Sequence, residues 1–212
     1  MRAIAVLGGT FDPVHIGHLR VAWEAAEALD AQVRLMPAQL PPHRPPPVAG
    51  AQQRVRMLQL ALAGQDRLTL DTRELDRPGP SYTFDTLRSL RAEFGAARSL
   101  ILLLGVDAFA GLPSWHRWRE LFDLAHIVVL TRPGHVAAWP QELSAAAAPR
   151  RLDSVHGLHA AAAGHIFELA VTPLEISASH VRTLLACGRE PRWLLPEAVL
   201  AAADLLAPYR RH

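Results

Sequence analysis

The chain contains no lysine: all 22 of its basic side chains are arginine. Alongside abundant alanine and proline this reads as a compositional bias, so no single arginine is by itself evidence of an anion ligand. The formal net charge is only +2. No basic run or basic stripe with interleaved aromatics occurs, and nucleic acid is therefore not an expected partner. Cysteine is nearly absent. The one residue, Cys187, excludes an intramolecular disulfide, suits a reducing compartment and reads as buried helix filler, since no His–Asn context marks it as a nucleophile. Long apolar runs are missing too; stretches such as Leu100 to Leu104 are far too short to span a bilayer. The N-terminus passes from Ala3–Leu7 directly into Gly8-Gly9 without a small-residue cleavage site, which reads as a first strand and not a signal peptide. These absences predict a cytoplasmic protein with no membrane partner.

What is present is a globular balance: half of the 212 residues are apolar and a fifth are charged, enough for a domain with a well-buried core. Strand-length apolar runs recur at Ala3–Leu7, Val33–Met36, Leu68–Asp71, Leu100–Leu104, Ile127–Leu130 and Ile166–Val171. Amphipathic stretches near 16–29, 51–63, 83–94 and 116–124 lie between them. Strands apolar on both faces that alternate with helices predict an α/β fold, a doubly wound parallel sheet covered on both sides, with right-handed crossovers. C-terminal helices are expected near 178–187 and 196–206, the second opened by Pro196 and Glu197. Residues 41–50, PPHRPPPVAG, can be neither helix nor interior strand and read as a stiff surface loop. Residues 135–163, rich in Ala and His, read as a partly helical insertion.

The chemistry concentrates where the first strand meets its helix, in GGTFDPVHIGHL, residues 8 to 19. Gly8 and Gly9 let the backbone approach a bound group. The helix that follows has unpaired donors and a partial positive charge at its start, an anion site before any side chain is counted. His15 and His18, three residues apart, should share one side of that helix, with Gly17 leaving room for a phosphate. A metal reading is weaker, because no third ligand has suitable local spacing. ISASHVR, residues 176 to 182, should open a helix straight after a strand-like run, where Ser177 and Ser179 can cap the helix and Arg182 can fork phosphate oxygens. In GVD, Asp107 follows the most apolar strand and can accept from ribose hydroxyls, as ligands in open parallel sheets sit beyond the strands' carboxyl ends; a helix cap is the alternative. Trp115 of SWHRW can stack on a flat ring, while Trp118 reads as core. The SYT run, residues 81 to 83, opens another helix and can present backbone donors to a carboxylate.

On these motifs, together with PAQLPPHR, SYTFDTL, GVDAFAGLPSWHRW and HIVVLTRPG, the chain resembles the nicotinate-nucleotide adenylyltransferase family nearly from end to end. The first and last motifs are shared by a wider nucleotidylyltransferase superfamily; SYT, the Trp-His pair and TRPG are the family's own. The resemblance implies a Rossmann-like fold and a single nucleotidylyltransferase domain over 1–212, with its C-terminal helical part from about 177. It implies the reaction of ATP with nicotinate mononucleotide to give nicotinate adenine dinucleotide and pyrophosphate, in NAD biosynthesis. It assigns His15, His18 and Arg182 to catalysis, and Gly8, Gly9, Thr10, Phe11, Gly105, Asp107, Ser177 and Ser179 with them to ATP. Asp12, His43, Arg44, Thr83, Trp115, His116 and Arg132 fall to the mononucleotide. Mg²⁺ is expected with ATP, held by phosphates and water more than by protein. Two departures stand out: Arg44 replaces the family's usual Lys, and Ala178 replaces the second Ser of its usual ISST.

The mononucleotide phosphate is already anionic, so its oxygen needs no activation to attack the α-phosphorus in line; the protein's work is positioning and charge stabilisation. Three alternatives stay open. One is nicotinamide mononucleotide as acceptor, alone or as well, since a carboxylate wants donors whereas a carboxamide wants a donor and an acceptor. The others are a nucleotide-sensing module without catalysis, and an assembly protein on an old fold. The sequence leaves a homo-oligomer open.

Overall fold

Apolar residues along both faces of the central strands leave both sheet faces needing cover, and alternate residues divide between two cores. Ala3 and Ala5 of the first strand, Ile101 and Leu103 of the fourth, and Val128 and Leu130 of the fifth join one buried cluster. Ile4 and Val6, Leu100, Leu102 and Leu104, and Ile127 and Val129 join the other. That two-residue alternation is the geometry of a strand buried on both sides. The computed structural model describes residues 2–40, 45–131 and 139–210, so the expected mononucleotide residues His43, Arg44 and Arg132 lie outside the described residues.

Among those residues the strands are β1 (Ala3–Gly9), β2 (Ala31–Pro37), β3 (Leu68–Leu70), β4 (Leu100–Gly105), β5 (His126–Thr131), β6 (Arg151–Leu152) and β7 (Ile166–Ala170). The helices are α1 (Ile16–Ala28), α2 (Ala51–Ala61), α3 (Thr83–Phe94), α4 (Val106–Ala110) and α5 (Leu121–Leu124). They continue with α6 (Gln141–Ala147), α7 (His156–Ala160), α8 (Ala178–Ala186), α9 (Glu197–Ala201) and α10 (Ala203–Leu206). The sheet runs β3-β2-β1-β4-β5-β7-β6, and every neighbouring pair is parallel. The chain winds outward from β1 in one direction through β2 and β3, then returns to lay β4 on its other side. The crevice beyond the carboxyl ends of β1 and β4 is thus the topological switch point, where such sheets bind ligands.

Four expectations are corrected and one is extended. The 135–163 segment is partly helical in its described part, holding α6 and α7, and adds the two-residue edge strand β6, too short to show a period in the sequence. Gly157 permits this packing, since a Cβ there would lie 2.6 Å from Leu152. The stretch 116–124 is not one helix, because Arg117 adopts the left-handed conformation (φ 55°, ψ 39°) and a 3₁₀ turn precedes α5. The stretch 196–206 divides at Ala202, whose ψ of 73° leaves the helical region. A seven-residue extended connection, 171–177, separates β7 from α8, so ISASHVR does not follow a strand directly. Cys187 is exposed at the end of α8, not buried.

Candidate active site

β1 delivers Gly8 and Gly9 to the switch point, and β4 delivers Gly105 one strand away. Among the described residues, chain neighbours aside, nothing lies within 4 Å of where a Cβ on Gly8 or Gly105 would be, whereas one on Gly9 would meet the Phe11 ring at 3.2 Å. A side chain at Gly9 would therefore crowd that ring. Phe11 itself is 1 % exposed, with its backbone at a φ of 48° and its ring edge-on to His18 at 5.0 Å. The ring is thus a buried backing for the histidine and not an open surface for a base. Asp107 is exposed in the first turn of α4, for which Gly105 is the N-cap.

The three-residue spacing of His15 and His18 does bring the rings together. They stack at 3.6 Å between centroids, 25° apart. His15 is the N-cap of α1 in extended geometry, and its backbone N–H donates to His18 Nδ1 at 3.3 Å. An accepting Nδ1 puts the proton of a neutral His18 on Nε2. His15 is 5 % exposed, and burial lowers its pKa to about 4, because a charged imidazole loses its hydration there. At neutral pH His15 is therefore uncharged, which also spares the stacked pair a like-charge repulsion. Its Nδ1 is buried and has no partner among the described residues, a cost of order 1–3 kcal/mol for such an atom. Gly17 supports this arrangement. A Cβ on it would lie 3.1 Å from His15 Nδ1, so its missing side chain makes room for the imidazole, not for a phosphate as the sequence suggested.

The helix start offers fewer backbone donors than expected. The Ile16 amide donates to the Leu194 carbonyl at 2.8 Å and the His18 amide to the His15 carbonyl at 3.0 Å. Side chains must accordingly supply more of any phosphate recognition. Arg182, on α8, reaches the β1–α1 turn: its Nη1 donates to the Asp12 carbonyl at 2.7 Å and its Nη2 to Ser179 Oγ at 3.1 Å. Ser177 caps α8 by accepting from the His180 amide at 3.1 Å. The first and last motifs, separated by most of the chain, are thereby joined through one arginine.

Asp12 is not placed as a mononucleotide contact. It is 4 % exposed, and its carboxylate accepts from the amides of Val48 at 2.7 Å and Ala49 at 3.0 Å, and from the Tyr209 hydroxyl at 2.6 Å. Through these three bonds it ties the chain's C-terminal turn and the segment before α2 to the β1–α1 turn. Arg54, 2 % exposed, donates through Nη1 to the carbonyls of Thr10 at 2.9 Å and Ala38 at 3.0 Å, clamping the chain just past β1 and β2. Burial lowers its pKa, and Asp12 opposes that shift. Sequence reasoning missed Arg54 and Tyr209. Among so many arginines one buried cation has no local signature, and nothing near residue 209 announces a partner almost the whole chain away.

The second half of the site gathers around the start of α3. Tyr82, its N-cap, lies 4.6 Å from the His116 ring, so SYT and SWHRW meet as their joint appearance suggested. The Arg117 guanidinium sits 3.6 Å over the Phe84 ring. Trp115 is half-buried against the second core, and Trp118 is buried in it. Of the SYT amides, Ser81 donates to Leu40 and Tyr82 to Pro80. The donors left to a ligand are those of the first turn from Thr83 onward, where helical geometry supplies no acceptor. Beneath this turn Glu74, 8 % exposed, accepts from Thr86 Oγ1 at 2.7 Å, and burial raises its pKa.

Among the described residues no group of three or more His, Cys, Asp or Glu is placed to hold a metal ion. Imidazoles, hydroxyls and a guanidinium at the switch point offer donors suited to phosphate oxygens.

Residues 6–184 match the cytidylyltransferase-like family model. A protein of Methylococcus capsulatus named "Probable nicotinate-nucleotide adenylyltransferase" is 51 % identical over 199 residues, covering 93 % of this chain and 94 % of its own. One of the same name from Pseudomonas syringae pv. tomato is 50 % identical over 210 residues, covering 99 % and 94 %. Among solved structures, Plasmodium falciparum nicotinic acid mononucleotide adenylyltransferase complexed with NaAD superimposes with a TM-score of 0.71 over 99 % of this chain and 96 % of that one. At 14 % identity that likeness speaks for the Rossmann-like fold alone. Half-identity to relatives of nearly equal length, on a chain whose two most diagnostic regions meet at the switch point of a doubly wound sheet, places it: the chain belongs to the nicotinate-nucleotide adenylyltransferase family, within the cytidylyltransferase-like proteins.

Proposed function

We propose that the protein transfers the adenylyl group of ATP to nicotinate mononucleotide, giving nicotinate adenine dinucleotide and pyrophosphate, a step of NAD biosynthesis. The observation that carries the chemical part of this reading is the stacked His15–His18 pair at the start of α1, with Arg182 brought beside its turn through the Asp12 carbonyl. A mononucleotide phosphate oxygen forms the new bond to the α-phosphorus of ATP as the bond to the bridging oxygen of pyrophosphate breaks. No proton must be removed from the nucleophile. His18, with its Nε2–H, and Arg182 neutralise the charge that grows on the leaving pyrophosphate. His15, uncharged, fixes the His18 ring. Gly8, Gly9 and Thr10 line the approach, and Gly105 and Asp107 sit on the adenosine side with Ser177 and Ser179. A divalent ion such as Mg²⁺, when bound with ATP, would be held by phosphate oxygens and water more than by the described side chains and would supply further charge neutralisation.

Acceptance of the acid rests on the first turn of α3. The amides from Thr83 onward and the positive end of the helix dipole favour a carboxylate, and Trp115 and His116 supply flat surfaces for the pyridine ring. The two cores share β1, β4 and β5, which supports reading 1–212 as one nucleotidylyltransferase domain. Among the described residues no helix is long and apolar enough to cross a membrane, in keeping with the cytoplasmic location we propose. The test is pyrophosphate release from ATP and Mg²⁺ with nicotinate mononucleotide and nicotinamide mononucleotide in parallel. Release with the acid alone is expected. Equal release with both makes the acceptor pocket dual, and release with neither, from protein that binds ATP, returns the chain to a sensing role.

A further inference from the structure

Arg182 faces a choice of acceptors. Its Nη1 lies 2.7 Å from the Asp12 main-chain carbonyl but 3.9 Å from the nearest Asp12 carboxylate oxygen, Oδ2. A guanidinium beside a carboxylate ordinarily closes to about 2.8 Å, in a charge-assisted and often bidentate pair. Here it does not, because the carboxylate is held elsewhere. Oδ1 accepts from Tyr209 and Ala49, and Oδ2 from Val48.

We propose that Tyr209 is a positioning residue: its hydroxyl, with the amides of Val48 and Ala49, keeps the Asp12 carboxylate turned from Arg182, so that the guanidinium stays available to the ATP phosphates. The proposal rests on the functional reading above for the role of Arg182, and extends it to a residue at the far end of the chain.

A guanidinium has more N–H donors than the two that Asp12 and Ser179 engage, and its side chain is 31 % exposed, so donors remain for a ligand. A free carboxylate next door would compete for them with the triphosphate. Of the three groups that restrain it, two are main-chain amides, fixed by the fold. The third is a side chain that Tyr209→Phe deletes with almost no change of shape. Tyr209 is 4 % exposed. Its burial and the neighbouring Asp12 push its pKa up, so it remains a donor at any working pH. The 3₁₀ turn Ala207–Tyr209 presents it, packed in the same core as Val14, Val181 and Leu185. The C-terminal turn thus reaches the phosphate site through one hydroxyl.

The test is a double-mutant cycle on ATP affinity, measured calorimetrically without acceptor, for the wild type, Tyr209→Phe, Arg182→Ala and the double variant. Pyrophosphate release is followed on the same four proteins. Tyr209→Phe should weaken ATP binding and raise its KM about fivefold, the equivalent of one net hydrogen bond. The mononucleotide KM should move less. In the Arg182→Ala background the same substitution should change ATP affinity by less than about twofold, because the group it protects is gone. A Tyr209→Phe protein that loses thermal stability but binds ATP as the wild type does would show the hydroxyl to be structural only. Equal losses in both backgrounds would show that it does not act through Arg182, and either result overturns the proposal. A wild type that binds ATP yet releases no pyrophosphate would sink the functional reading while the binding cycle still decided the role of Tyr209.

Discussion

The starts of α1 and α3 are both helix N-termini on the proposed site, yet they are furnished in different ways. At α1 the working groups are buried or interlocked. His15 is stacked under His18, Phe11 backs the pair, Arg182 pins the turn from α8, and Asp12 within the turn is held by Val48, Ala49 and Tyr209. At α3 they are more open: an exposed His116 over Tyr82, a half-buried Trp115 and a first turn of backbone donors. The difference matches the tasks proposed for them. Stabilising a transition state demands donors that need no reorganisation, and a stacked, desolvated pair is fixed before the ligand arrives. Recognising a pyridine ring demands a flat surface and a few donors, which aromatic side chains at a helix start supply with less built-in cost.

That contrast can be broken most sharply at His18. Replacing it with Ala should lower turnover about 10²–10³-fold at saturating ATP, as loss of a transition-state donor does. Near-normal turnover would remove the α1 pair from the chemistry and leave it a packing motif.

A smaller effect should appear in stability. The pKa of His15 falls from 6.5 to about 4 on folding, so the unfolded chain takes up its proton first. The stability this group confers is complete above 6.5 and is lost as pH falls toward 4. The loss amounts to roughly 3 kcal/mol across that window. Denaturant titrations from neutral pH to about pH 4 should show a steeper decline for the wild type than for His15→Gln. Parallel curves would mean that the imidazole is not buried in its neutral form. His126, also held neutral by burial, acts in the same direction in both proteins and cancels from the comparison.

The smallest effect belongs to the open half. Trp115→Ala should raise the mononucleotide KM about fivefold, near the 1 kcal/mol of an aromatic stacking contact, and leave the ATP constant nearly unchanged. A shift in the ATP constant alone would put the indole on the wrong ligand and erase the division of labour between the two helix starts.

Much of this was open to reading along the chain because it is local. Residues facing both sheet sides made the central strands legible, and a three-residue spacing put two imidazoles on one side of a helix start. Gly17 was misread because a glycine's spacing does not say which neighbour fills the vacant volume; here it is the His15 ring. The helix expected over 116–124 failed at Arg117, whose left-handed backbone goes with an ion pair to Glu120 and a place over Phe84, contacts that no periodicity reveals.

The sequence by itself determined the parallel sheet and its two-sided core, and singled out the residues proposed to bind phosphate, because periodicity, glycine and helix-start chemistry act within a few residues. Only the tertiary structure decided which polar groups spend their hydrogen bonds on the protein and which are left for a ligand. Asp12 looked like a ligand-facing carboxylate until Val48, Ala49 and Tyr209 closed on it. Arg54 was one arginine among many until burial made it the clamp on Thr10 and Ala38. Hydrogen-bond saturation depends on which distant segments arrive at the same place, and that is fixed by packing, not by neighbours in the chain.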